Sequence, residues 1–160
     1  KRDVQRYQVD SSAIDYFREV IQHPQVIRLL DRDSYLDLSA AECCESLREA
    51  LQQSSFELQA YQEFPLSAIH EGQHFNGTID RLVLIIREGV IVGADIVDYK
   101  TDSIDPDNPE RTVEARCDYY RGQLNTYAQG LSASMRIPLE MINTRLAFVG
   151  AGIVTRVDHH

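Results

Sequence analysis

The sequence predicts an α+β domain in which helices flank one sheet, and three observations carry that prediction. Val, Ile, Phe and Tyr are concentrated in consecutive runs between residues 56 and 99, with Pro and Gly between the runs. Apolar residues at helical spacing precede and follow this block. The length of 160 residues suits one domain that buries about two thirds of its unfolded surface. The order is helix, three-strand meander, helix, strand hairpin. One domain is expected over 1–158, with a helical region at 1–55 and a core at 56–157. His159-His160 has the form of a tag remnant.

Residues 11 to 32 open on Ser11-Ser12, an N-cap pair, and continue with Ile14, Phe17, Ile21, Val26, Leu29 and Leu30. His23-Pro24 breaks this stretch into two short helices. A further helix is predicted from Ser39 to Gln53, where Ser39 and Glu42 form a capping-box pattern. Strands follow at 56–64, 73–86 and 90–99, punctuated by Pro65, Gly72 and Glu88-Gly89. The segment from Ser103 to Glu110, with Pro106 and Pro109, is a loop. From Thr112 to Ser134 the residues Tyr120, Leu124, Tyr127, Leu131 and, just beyond, Met135 make one apolar stripe. Thr144–Val149 and Ile153–Val157, divided by Gly150-Ala151-Gly152, close the chain as a hairpin or one bent strand.

Composition narrows the function. With a formal net charge of −9, the chain is not a domain that grips nucleic acid through a broad basic surface, although a local site remains open. No apolar run approaches the roughly 20 residues of a membrane span. The chain starts without Met or a signal-peptide pattern and reads as a piece of a longer protein. Cys43, Cys44 and Cys117 fit reduced thiols, which points to the cytoplasm. Lys1 and Lys100 are the only lysines among sixteen basic residues.

Alternation on the third strand puts Ala94, Ile96, Asp98 and Lys100 on one face, and on the second strand Asp80 joins Leu82, Leu84 and Ile86. If those faces coincide, two carboxylates and one ammonium converge at the edge of an apolar layer, where charges survive by pairing or by holding a metal. Such hard oxygen ligands suit Mg²⁺ or Mn²⁺, which polarise a phosphodiester and supply hydroxide. An Asp-x-Lys at a strand end is commonly a surface pair opening a turn. What tells against that here is the company it keeps: Gly77-Thr78-Ile79-Asp80-Arg81-Leu82, Asp98-Tyr99-Lys100-Thr101-Asp102 and Gln123-Leu124-Asn125-Thr126-Tyr127, on strand, strand and helix.

These motifs resemble the RecB/AddA-type nuclease domain of the PD-(D/E)XK superfamily, the C-terminal part of helicase-nucleases that process DNA ends. The resemblance implies a restriction-endonuclease-like core, a mixed central sheet flanked by helices. It implies that Asp80 and Asp98 hold the metal with the Tyr99 main-chain carbonyl, and that Lys100 orients or deprotonates the attacking water. Gln123 and Tyr127 match the substrate-contacting motif, and Glu63 in Glu63-Phe64-Pro65 matches the acid of the first strand. The implied cofactor is Mg²⁺, replaceable by Mn²⁺. The implied partners are DNA, a helicase domain of the same polypeptide and a second subunit of a helicase-nuclease. Many family members also carry a histidine in a G-x-x-x-H element on an earlier helix. No such element occurs here, so either it lies upstream of Lys1 or the site lacks this ligand. No cysteine follows Cys117, so an iron-sulfur cluster is not expected.

Arg81, Arg116 and Arg121 are candidates for phosphate contacts, with Arg81 counted among the substrate-binding residues. Glu110, Glu114 and Asp118 form a solvated helix face or pair with those arginines. His70 and His74 are expected to be exposed, Asp95 to be a surface or paired carboxylate, and Asp102 to cap a turn. Tyr119-Tyr120 reads as core more than as a stacking platform. The expected function is a Mg²⁺-dependent exonuclease acting in recombinational DNA repair. The alternative is an inactive DNA-binding or partner-docking domain with the same fold.

Overall fold

A computed structural model describes residues 19–20, 22–53, 55–70 and 73–158. The helix expected before His23 and the turn at Gly72 lie outside these residues, apart from fragments, and so does the side chain of His70. One five-stranded sheet has its strands in chain order: β1 (Glu57–His70), β2 (Gln73–Arg87), β3 (Val90–Lys100), β4 (Ile142–Phe148) and β5 (Ile153–Arg156). The meander β1-β2-β3 is antiparallel, β3 and β4 are parallel, and β4-β5 is the expected hairpin. The turn between β2 and β3 places Glu88 at φ 51° and Gly89 at φ 78°. That pair of left-handed residues matches the strand twist in a two-residue hairpin loop.

Parallel neighbours need a crossover. Helix α3 (Pro109–Met135) supplies it and covers one sheet face. It starts at Pro109, earlier than the predicted Thr112, because proline's missing N–H is not needed in a first helical turn. Leu124, Tyr127, Ala128 and Leu131 of α3 pack on Leu82, Leu84, Ile86, Ala94, Ile96, Leu146 and Phe148. The opposite face is covered by α1 (Pro24–Leu30), a 3-10 turn at Asp33–Leu36 and α2 (Glu45–Gln53). There Tyr35, Leu38, Cys43, Leu47 and Leu51 meet Val83 and Ile85, and Leu29 meets Val97 and Ala147. The result is a mixed sheet between two helical layers, the expected α+β class.

Two boundaries differ from prediction. The strand ending at Phe64 instead runs through Pro65 to His70; β1 is an edge strand, the place in a sheet where proline is tolerated because half of the N–H positions point away from the ladder. Ser39 and Glu42 do meet, with the Glu42 carboxylate accepting Ser39 N–H at 3.0 Å and Ser39 Oγ–H at 2.8 Å. They close a turn rather than cap the helix. The helix begins at Glu45, with Arg48 N–H donating to Cys44 O.

Candidate active site

Strict alternation would put Ile79 on the same face as Val83 and Ile85. Ile79 instead packs beneath α3 with Leu82, while Val83 and Ile85 face the other layer. The adjacent strand behaves alike: Leu58 belongs to the second layer, whereas Phe64 and Leu66 lie under α3. Both strands thus turn over between these residues. At the turnover Glu63 has φ 49°, a left-handed conformation unusual for a residue with a Cβ, inside a strand. Asp80 sits in the register position facing Glu63, between Gln62↔Arg81 and Phe64↔Ile79. The alternation expected to align Asp80 with Leu82 is therefore interrupted at Asp80 itself.

The same point is where β2 parts from β3, since their pairing ends at Arg81↔Val97. Beyond it the Tyr99 N–H donates to Asp80 Oδ2 at 2.7 Å, so a side chain takes over from the neighbouring backbone. On β3 a bulge at Val92, opposite Ile85 and Ile86, exchanges the faces near the strand's start, but from Ala94 onward alternation holds and Asp98 follows Ala94 and Ile96 under α3 as predicted. Asp98 is 3% exposed, and its Oδ2 is in ion-pair contact with Lys100 Nζ but makes no hydrogen bond. Burial pushes the Asp98 carboxyl above the usual range; Lys100 pulls it back, and nearby Asp80 raises it further. Gln62, Glu63, Asp80 and Tyr99 line an open hollow beside Asp80.

Lys100 is held by more than Asp98. Its ammonium donates to Gln123 Oε1 at 3.3 Å and stands 3.9 Å from the centre of the Tyr120 ring. Gln123 Nε2 in turn donates to the Tyr127 hydroxyl at 2.9 Å. Tyr127 packs edge-on to Phe75, and a Cβ on Gly77 would stand 2.8 Å from its ring. Gly77 precedes Asp80 in its motif because the strand must lie directly against that tyrosine.

Asp80, Asp98, Lys100, Gln123 and Tyr127 are thus brought together, with Glu63 at the rim. Arg81 is not among them: it is buried on the opposite face, where its charge acts on the Tyr99 hydroxyl. His74 is exposed, as expected. Asp102 caps no turn; it pairs with Arg116 at 3.2 Å and accepts Tyr120 O–H at 2.9 Å. Arg121 pairs with Asp118. Tyr119 is 75% exposed and so is not core. Sequence reasoning missed the contact of Tyr120 with Lys100, although Tyr120, Gln123 and Tyr127 at i, i+3 and i+7 share a helix face.

Among the described residues no three His, Cys, Asp or Glu side chains converge as a metal cage. Two close carboxylates, one of them buried, nevertheless fit a hard cation of the Mg²⁺ kind, which uses one or two carboxylates and keeps several waters. Among these residues no helix is long and apolar enough to cross a membrane.

A layered α+β sheet carrying two acids and a lysine where two strands separate defines a protein suited to phosphodiester chemistry. The family model of the PD-(D/E)XK nuclease superfamily matches residues 5–157, and the chain belongs to that superfamily. It is also similar to one of the subunits of the ATP-dependent helicase/nuclease of Limosilactobacillus fermentum, with 36% identity over 104 residues. That match covers 58% of this chain and 8% of the relative.

Proposed function

We propose that residues 1–158 form a nuclease domain that hydrolyses DNA phosphodiester bonds with Mg²⁺, for which Mn²⁺ substitutes. The observation that carries this reading is the meeting of Asp80 and Asp98 at the parting of β2 and β3, with the Lys100 ammonium against the buried Asp98 carboxylate. Asp80, Asp98 and the Tyr99 carbonyl would hold the ion, and Glu63 is an accessory acid. When bound, the ion would lower the pKa of a water and neutralise charge on the phosphate. Lys100 orients the attacking water or takes its proton. Gln123 and Tyr127 set the floor against which the substrate strand lies. By analogy with the helicase/nuclease subunit of L. fermentum, the domain acts beside a helicase of the same polypeptide and a second subunit, and the mode of cleavage we assign to it is exonucleolytic. Its setting is DNA end processing for recombinational repair in the cytoplasm.

Linear DNA incubated with the chain and Mg²⁺ or Mn²⁺ tests this directly. Degradation that stops with a chelator, and in Asp98→Ala, is the expected result, together with weakened Mn²⁺ binding by calorimetry in the folded variant. A chain that binds DNA but leaves it intact with either metal would favour the inactive DNA-binding alternative. Unchanged Mn²⁺ affinity in Asp98→Ala would remove Asp98 from the metal set.

A further inference from the structure

A lysine stem has four carbons and many rotamers, so an ammonium that must stand at one place needs holders. The side chain of Lys100 is 13% exposed, and its Nζ lies 3.9 Å from the Tyr120 ring centre, within the range of a cation–π contact. The ring is itself fixed. Its hydroxyl donates to Asp102 Oδ2 at 2.9 Å, while Asp102 Oδ1 takes Arg116 Nε at 3.2 Å. Tyr119 stacks edge-on against it, with ring centres 4.9 Å apart. Asp102 lies two residues beyond Lys100, just past the end of β3, whereas Arg116, Tyr120 and Gln123 share one face of α3. Strand end and helix are therefore tied together on both sides of the ammonium.

We infer that Tyr120, anchored by Asp102, is a positioning residue that fixes the Lys100 ammonium beside Asp98. The catalytic consequence rests on the nuclease reading proposed for this site; the positioning itself does not. An aromatic face suits the task where a further carboxylate would not. It attracts the cation without a net charge, and so does not compete with Asp98 for the ammonium or add to the repulsion between Asp98 and Asp80. The anchor also gives the last acid of Asp98-Tyr99-Lys100-Thr101-Asp102 a role that neither metal binding nor turn capping supplies.

The chain's lysine content makes the test direct, because lysine-selective isotope labelling yields signals from Lys1 and Lys100 alone. Protons on the carbon bearing the ammonium of Lys100 should be shifted upfield by the ring. The shift should survive in Tyr120→Phe, which keeps the ring, and vanish in Tyr120→Leu. In cleavage assays Tyr120→Leu should lose about tenfold in kcat, with KM for DNA and Mn²⁺ affinity within about twofold of the parent, and Tyr120→Phe should recover most of the loss. Lys100 signals coinciding with those of Lys1 in the parent chain would overturn the inference, and this holds even if Tyr120→Leu does not fold. So would Tyr120→Phe and Tyr120→Leu being equally impaired, or a loss confined to KM. A parent chain that cleaves no DNA would overturn the nuclease reading, while the spectra would still decide the positioning of Lys100.

Discussion

Asp98 and Lys100 place opposed demands on one spot of low dielectric, and each demand gives a mutant with a definite sign. Burial raises the folded pKa of Asp98 above its unfolded value of about 3.9. Folding therefore favours the protonated form. The stability this gives is fully present below the unfolded pKa and is lost as pH rises through the raised folded value. At pH 7 without metal Asp98 therefore weakens the fold, so Asp98→Asn should melt higher than the parent chain in chelator, by a margin that narrows towards pH 3. A lower melting temperature at pH 7 would mean that the Lys100 contact outweighs burial. Lys100→Arg tests the other partner. A guanidinium is planar, larger and always charged, and it fits neither the space over Tyr120 nor the loss of a proton. Cleavage should fall by about 100-fold or more with Mn²⁺ binding retained. Parent-level cleavage in a folded Lys100→Arg chain would end the water-activating role of Lys100.

Among the elements, β3 is legible in the sequence and β1–β2 only in part, for a physical reason. Alternation depends on an unbroken extended backbone, and β3 keeps it beyond the bulge at Val92, so the positions of Asp98 and Lys100 follow from counting by two from Ala94. On β1 and β2 the count fails at Glu63 and Asp80, because Glu63 adopts φ 49° and the faces exchange. Glutamate is not a residue type that announces a left-handed conformation, so no local signal marks the place. Had Asp80 stayed in the regular ladder, the Tyr99 N–H would lie against backbone rather than against its carboxylate. Glu63 thus holds a strained conformation where the acids gather, as strained residues at functional sites do. Glu63→Gly should relieve it and stabilise the fold by up to about 1 kcal/mol in urea titration, since the gain exceeds glycine's entropic penalty only modestly. If Glu63→Gly destabilises the chain, the left-handed backbone is held by contacts of the glutamate side chain.

For the whole molecule, the least legible feature joins the layers. The sequence leaves Asp95 as a surface or paired carboxylate; it is paired, and it is 1% exposed. Its partner Arg145 lies fifty residues on, in β4, a separation that no local pattern spans. Both Arg145 Nε and Nη2 donate to Asp95, Tyr35 O–H reaches Asp95 Oδ2 at 2.7 Å, and Asn143 Nδ2 reaches Oδ1 at 2.8 Å. Asn143 also bonds Glu42 O and the Cys44 N–H, so β3 and β4 are tied to the segment leading into α2. Asp95 lies three residues before Asp98, on the opposite face. The same strand is therefore pinned by this network on one side and carries the acid and lysine on the other. Asp95→Ala would leave the Arg145 guanidinium buried without its counter-ion, a loss of about 3–5 kcal/mol. Against a total stability of about 5–15 kcal/mol, that is a large part of what keeps the chain folded. Replacing both charges, as in Asp95→Leu with Arg145→Met, removes the uncompensated cation and should be markedly more stable than Asp95→Ala alone. Full recovery is not expected, because Tyr35 and Asn143 still lose their acceptor. Urea unfolding of the two variants beside the parent chain measures the difference. If Asp95→Ala unfolds at the parent midpoint, the helical layer is held by its apolar contacts and the buried ion pair contributes nothing to the joint.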